Sequence, residues 1–207
     1  VPSDIPSFVS SGIFIPGEEN ICMQAFYLLK ADFGISAVKI HLHKQIPIGA
    51  GLGGGSSDGA FTLILLNDLF DLNLSNNKLK EYALALGADC PFFIENTPQY
   101  ITGIGDEMTP VELDLSGFSL RFVFSGLHIS TVNAYNGIEL KSSSVELLDL
   151  IKTPLERWKG NVLNDFETSV FAKHPKLKMM KEELYVDGAI YVSMSGSGSA
   201  LYAIFAK

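Results

Sequence analysis

The stretch Pro47-Ile48-Gly49-Ala50-Gly51-Leu52-Gly53-Gly54-Gly55-Ser56-Ser57 constrains this chain more than any other, because five glycines fall between Gly49 and Gly55. A strand pattern precedes it: residues 38–43 alternate, with Val38, Ile40 and Leu42 on one face. An apolar helical pattern follows over residues 60–70. Glycine lets the backbone pass through positive φ and lets amides come close to a ligand. A helix that starts just after such a loop turns its free N–H groups and positive dipole end toward it. Together they form an anion site suited to a di- or triphosphate, and Ser56 and Ser57 add hydroxyls able to bond phosphate or Mg2+. The alternative is a flexible glycine linker, but linkers seldom join a strong strand to a strong helix. A Walker loop is excluded because no Lys-Ser/Thr follows the glycines. Gly49, Gly51 and Gly54 match G-x-G-x-x-G, yet a dinucleotide fold wants an acid at the end of a second parallel strand. Asp68 and Asp71 fall near that distance but inside or just after a helix, so the oxidoreductase reading is weak.

Charge bears on what such a loop can hold. Fifteen Lys+Arg against 23 Asp+Glu give a net charge of −8, which argues against bulk nucleic-acid binding. It leaves room for one small polyanion gripped by backbone dipoles. Hydrophobic residues at 47% and charged residues at 18% of 207 allow a sizeable core and one large or two small domains. Cys22 and Cys90 lie far apart with no CxxC, so neither a disulfide framework nor a zinc site is expected. The longest apolar run, residues 60–66, is too short to cross a bilayer, and no signal-peptide pattern opens the chain. A cytoplasmic protein without membrane or nucleic-acid partners is expected, as a monomer or homodimer. Val1 stands where a native start would carry Met, so the chain is expected to be part of something longer.

Residues 2–16 read as loop with room for a short strand, and Pro16-Gly17-Glu18-Glu19-Asn20 as a helix start with Asn20 as N-cap. Ile21, Ala25, Leu28 and Leu29 give that helix its stripe and Gly34 stops it. A further helix spans residues 77–86 and ends at Gly87, before Asp89-Cys90-Pro91. Residues 92–94 and 99–104 read as strands. Texture changes around residues 110–117, which divides the chain into domains 1–115 and 116–207. In the second, residues 118–124 read as a strand, 145–150, 162–171 and 177–184 as helices, and 189–194 and 200–205 as strands around Ser195-Gly196-Ser197-Gly198-Ser199. Helices and strands mix without regular alternation, so the class is α+β.

The loop Pro47-x-Gly49-Ala50-Gly51-Leu52-Gly53-Gly54-Gly55-Ser56-Ser57 resembles the nucleotide loop of the GHMP small-molecule kinases. Leu86-Gly87-Ala88-Asp89-Cys90-Pro91-Phe92-Phe93 resembles that family's second motif, and Ser195-Gly196-Ser197-Gly198-Ser199-Ala200 its third. Asn161-Val162-Leu163-Asn164-Asp165-Phe166-Glu167 is also similar, and the resemblance runs from about Asn20 to the end. It implies a two-domain GHMP kinase-like fold: a ribosomal protein S5 domain 2-like N-terminal domain that binds ATP, then a ferredoxin-like C-terminal domain. It implies ATP and Mg2+ as cofactors and, from the Leu-Gly-Ala-Asp-x-Pro motif, phosphorylation of the 2-hydroxyl of a cytidine diphosphate-linked methylerythritol in non-mevalonate isoprenoid synthesis. Competing readings are a homoserine, mevalonate or galactose kinase and a non-catalytic nucleotide-binding module. The family also carries a first strand with a Lys beside an Asn, a downstream Asp-Gly-Tyr-His, and a further helix and strand at its end. No lysine precedes Lys30 and no Asp-Gly-Tyr-His occurs, so the N-terminal strands are expected to be absent.

Residue roles follow from the same resemblance. Asp89, on a corner between Gly87 and Pro91, would be the base for the attacking hydroxyl; by itself an Asp there is a surface turn residue. ATP would contact Pro47, Ile48, Gly49, Ala50, Gly51, Leu52, Gly53, Gly54, Gly55, Ser56 and Ser57, with Asn20 at the adenine and Lys44 alongside; Ser57 would also approach Mg2+. Lys44 otherwise reads as a solvated strand-end lysine. Tyr135 and Thr131, with Gly196, Ser197 and Gly198, would meet the substrate, Tyr135 stacking on the cytosine ring unless it is a core tyrosine. His41 and His43 share a strand face without a third ligand, which reads as an exposed face, and Trp158 and the methionines read as packing.

Overall fold

The structure is a computed structural model that describes residues 4–15, 20–103, 105, 107–138 and 146–207. The expected helix start at Pro16 to Glu19, the end of a strand at Ile104 and the start of a helix at Val145 lie outside the described residues. The chain forms two compact units, Val1–Ile48 with Gly53–Val111, and Gly49–Leu52 with Glu112–Lys207.

In the first unit β1 (Ser7–Gly12) pairs in parallel with β2 (Lys39–Lys44), Ser7 opposite Lys39 and Gly12 opposite Lys44. Parallel partners need a crossover, and α1 (Ile21–Phe33) supplies it. Asn20 caps α1 by accepting from the Cys22 N–H at 2.8 Å, and Gly34 closes it at φ 60°, a left-handed conformation that glycine adopts without strain. Cys22, Ala25, Phe26 and Leu29 form the buried stripe of α1. They pack with Ala60, Leu63 and Leu66 of α2 (Gly54–Leu69) and Leu79 and Ala83 of α3 (Asn76–Leu86).

Two expectations need correcting here. The helix expected at residue 60 begins at Gly54, so Ser56 and Ser57 lie in its first turn; no buried apolar residue marks that turn, and periodicity could not register it. Residues 92–94 form a helical turn, α4 (Phe92–Glu95), rather than a strand. Pro91 already sits at φ −57°, ψ −32°, and the Phe93 and Ile94 N–H groups bond back to Cys90 and Pro91, which outweighs the strand preference of two phenylalanines and an isoleucine. An antiparallel pair, β3 (Gln99–Thr102) and the unforeseen β4 (Glu107–Pro110), completes the unit.

The second unit holds an antiparallel sheet, β5 (Phe118–Val123), β6 (Tyr191–Met194) and β7 (Leu201–Ala206), in the order β5-β7-β6. β7 is central, with Phe118 opposite Ala206 and Tyr191 opposite Ile204. Helices α5 (Thr131–Tyr135), α6 (Leu147–Ile151), α7 (Phe166–Lys173) and α8 (Pro175–Val186) accompany it. Val170, Leu177 and Leu184 pack on Val192, Met194, Leu201 and Ala203, and a smaller cluster gathers Leu155, Trp158, Tyr191 and Ile204. Trp158 is therefore packing, as expected, and its indole N–H reaches the Thr153 carbonyl at 3.2 Å. Met194 is buried too, but Met179 is exposed. The helix expected from residue 162 starts only at Phe166, because the Asn164 side chain accepts from the Phe166 N–H and holds the preceding residues in a turn. The mixed α+β content is as expected. No helix among the described residues is long and apolar enough to cross a membrane.

Phe26 is fully buried in the first core. Phe26→Ala is expected to destabilise the fold by about 3–5 kcal/mol, through lost transfer energy and the cavity left behind. Urea unfolding followed by circular dichroism measures it, and a loss below about 1 kcal/mol would contradict the packing of α1 described above.

Candidate functional site

In the first unit, α2 differs from its neighbours at its start. Asn20 caps α1, and Ser75 caps α3 by accepting from the Lys78 N–H at 3.3 Å. Gly53 precedes α2 at φ 64° and offers no capping side chain. Ser57 bonds back to Gly53, while the N–H groups of Gly54, Gly55 and Ser56 have no acceptor among the described residues. Three donors and the positive end of the helix dipole are thus left for an anion.

Lys44, at the end of β2, lies beneath that turn. It is 4% exposed, so it is not the solvated strand-end lysine that was one reading, and its ammonium is paired with the Asp58 carboxylate. A Cβ on Gly54 would sit 3.2 Å from Lys44 Nζ, which shows how closely the ammonium underlies the first turn. A buried cation needs a partner, and Asp58 supplies it. Asp58 was missed in the sequence; its only signal was an acid four residues before Thr62, whose hydroxyl donates to the Asp58 carbonyl at 2.7 Å.

Asp89 stands on the corner that follows α3. The Cys90 N–H bonds the Gly87 carbonyl at 3.1 Å, Cys90 is fully buried, and its thiol is hydrogen-bonded to the Ser56 side chain. Phe93 lies so close to Gly53 that a Cβ there would meet its ring at 2.8 Å. The corner therefore packs against the first turn of α2, and Asp89 on that corner is exposed. Among the described residues the Asp89 carboxylate has no hydrogen-bond or ion-pair partner. Asn20 uses its Oδ1 in capping, and its Nδ2 has no partner among the described residues. Pro47 is half-buried and Ile48 exposed ahead of the loop. His41 and His43 are exposed and share the Ser11 hydroxyl at 2.9 Å each, as an exposed strand face implies.

In the second unit, residues 49–52 lie against the loop 195–199. The Ala50 carbonyl accepts from the Ala200 N–H at 3.0 Å, and the Gly51 carbonyl accepts from the Ser195 hydroxyl at 2.8 Å. Gly51 has φ 77°, and a Cβ on it would press into the Ser195 and Gly198 carbonyls, so only glycine fits. Within the loop, Gly196 is exposed, Ser197 half-buried and Gly198 buried, its N–H turned inward to the Ser195 carbonyl. Thr131 is exposed at the start of α5. Tyr135 is 62% exposed, with its ring edge-to-face on Phe166 at 5.0 Å, so it is a surface aromatic rather than a core tyrosine. Asn164 donates to the Gly196 carbonyl of this loop and to the Met194 carbonyl ahead of it, and Glu167 accepts from the Met194 N–H; their spacing, Asn-x-x-Glu, is a capping-box signal that was available in the sequence.

Among the described residues no three His, Cys, Asp or Glu cluster as metal ligands. Burial raises both thiols above their ordinary range. At pH 8 neither Cys22 nor Cys90 should react with an aromatic disulfide reagent in the folded protein, whereas two thiols should react in denaturant. Native-state reaction of Cys90 would show that the Asp89 corner opens.

The description "GHMP kinases N terminal domain" matches residues 20–96, and "GHMP kinases C terminal" matches residues 147–207. The chain is 48% identical over 203 residues to the 4-diphosphocytidyl-2-C-methyl-D-erythritol kinase of Azobacteroides pseudotrichonymphae, covering 97% of this chain and 76% of that protein. It is 46% identical over 208 residues to the kinase of the same name from Cytophaga hutchinsonii, covering 99% and 77%. A crystal structure of 4-(cytidine 5'-diphospho)-2C-methyl-D-erythritol kinase superposes with a TM-score of 0.81 at 30% identity, covering 99% of this chain and 75% of that one. A homoserine kinase from Cytophaga hutchinsonii, at 17% identity and a TM-score of 0.67 over 98% of this chain and 72% of its own, shares the fold.

Proposed function

The chain belongs to the GHMP kinases, and we propose that it phosphorylates the 2-hydroxyl of 4-diphosphocytidyl-2-C-methyl-D-erythritol at the expense of ATP; its relatives are named as kinases of that compound. It is an ATP-dependent small-molecule kinase, and its place is in isoprenoid precursor synthesis. The observation that carries the site assignment is the uncapped start of α2, which follows the glycine loop and has on the corner packed against it an exposed Asp89 with no partner among the described residues.

ATP phosphates are bound by the N–H groups of residues 49–57, with Ser56 and Ser57 adding hydroxyl contacts. Lys44 contributes its charge from beneath the turn rather than by lying along the nucleotide, since Asp58 holds its ammonium there. Asn20 can cap α1 through Oδ1 and bond the adenine through Nδ2. Mg2+ fits a donor set of phosphate oxygens, the Ser57 hydroxyl and water, all hard oxygens, and would neutralise charge on the transferred group. Asp89 orients the substrate hydroxyl and accepts its proton as the phosphoryl group arrives. Its exposure leaves the carboxylate within reach of a ligand. Tyr135 presents an open ring face on which a cytosine can stack, with Thr131 one helical turn away and Gly196 and Ser197 offering backbone and hydroxyl contacts. Soluble substrates suffice for this reaction, and a cytoplasmic location is consistent with it.

Asp89→Asn is expected to leave ATP affinity within about twofold and to lower kcat by about 100- to 10,000-fold, the usual worth of a general base. Coupled ADP release with the cytidyl substrate measures it, and unchanged kcat would remove Asp89 from that role. Tyr135→Ala is expected to raise KM for the cytidyl substrate by the equivalent of about 1–3 kcal/mol while sparing KM for ATP. Turnover of mevalonate or homoserine in place of the cytidyl substrate would overturn the substrate assignment. ATP binding without turnover of any alcohol would mark a non-catalytic module.

A further inference from the structure

We propose that Asn164 is a positioning residue for the nucleotide, acting through Ser195 on the first half of the glycine loop. This rests on the reading of residues 49–57 as a phosphate cradle. In a trans peptide the carbonyl of one residue and the N–H of the next point in opposite directions. The Ala50 carbonyl is held by the Ala200 N–H and the Gly51 carbonyl by the Ser195 hydroxyl. The following N–H groups, of Gly51 and Leu52, must therefore face away from the loop 195–199. Neither has an acceptor among the described residues, and successive amides turned outward form an anion nest.

Ser195 can aim the Gly51 carbonyl only if its own backbone is fixed, and residues at the start of α7 fix it. Asn164 spends one Nδ2 hydrogen on the Met194 carbonyl at 2.7 Å and the other on the Gly196 carbonyl at 2.8 Å, the two carbonyls that flank Ser195. Its Oδ1 accepts from the Phe166 N–H at 2.9 Å, so the amide is committed at both ends. Glu167 adds a bond from the Met194 N–H at 2.8 Å and is held by Lys181 at 2.6 Å. The chain of contacts runs from α7 through Ser195 to the peptide planes of Ala50 and Gly51. An Asp at 164 would set an acceptor against two carbonyl acceptors, so the amide itself, not its shape, is what the position requires.

The test uses purified protein, isothermal titration with Mg-ATP, and steady-state kinetics with both substrates. Asn164→Ala is expected to raise Kd and KM for ATP about tenfold, the worth of one net hydrogen bond. Ser195→Ala should do the same, Asn164→Asp should do more, and the Asn164→Ala/Ser195→Ala double variant should be no worse than the larger single effect. A lowered Tm with KM for ATP unmoved would make Asn164 merely structural and overturn the proposal. Additive effects of the two substitutions would also overturn it. If Asn164→Ala fails to fold, Ser195→Ala decides alone: an unchanged KM for ATP overturns the proposal. Absence of ATP binding by the unsubstituted protein overturns the nucleotide reading and this proposal with it, whereas binding that no variant alters overturns this proposal only.

Discussion

Two carbonyl groups, those of Ala50 and Gly51, set the direction in which the first half of the glycine loop faces. Each is tied to the segment 195–200, one by a backbone amide and one by a hydroxyl. Peptide planarity then dictates that the next amides turn the other way. Gly51 meets this demand because it takes a positive φ and leaves no side chain in a gap already filled by carbonyls. The loop is thus held by its acceptors so that its donors stay free. An acidic protein of net charge −8 can in this way present a cationic surface made of backbone.

The same economy recurs at α2. The neighbouring helices α1 and α3 carry Asn and Ser caps, but α2 begins at a left-handed glycine with no side-chain cap. Beneath it the Lys44–Asp58 pair brings a positive charge close to the free amides without exposing a flexible lysine. The corner at residues 87–91 then locks Asp89 in place from below: Cys90 and Phe93 pack inward, and the carboxylate is left outside. Packing by the neighbours of Asp89 does the positioning, and its own side chain makes no hydrogen bond or ion pair among the described residues.

Much of this was legible from local patterns. The Asn20 cap, the Gly34 stop, the alternating β2 and the two strands around residues 195–199 each follow from rules that act over a few residues. Failures occurred where a local preference met a tertiary constraint. Phe92 to Ile94 favour a strand, but Pro91 and the buried Cys90 turn them into a helical corner. The start of α2 left no hydrophobic trace because its first turn is Gly-Gly-Ser-Ser and carries no buried apolar residue. Lys44 reads from sequence either as a nucleotide contact or as a solvated strand-end lysine, and only the fold, which brings Asp58 from fourteen residues on to its ammonium, shows it buried.

The sequence by itself determined the family motifs, the glycines that make close backbone approach possible, and the candidate base at Asp89. These are properties of residue type and short spacing, which survive without knowledge of the rest of the chain. Only the tertiary structure decided what holds those parts in place. Ser195 lies 144 residues from Gly51, and Asn164 lies 32 from Gly196. No periodicity or propensity links residues at such distances, because a hydrogen bond between them exists only after the chain has folded and each donor has found the carbonyl left open to it.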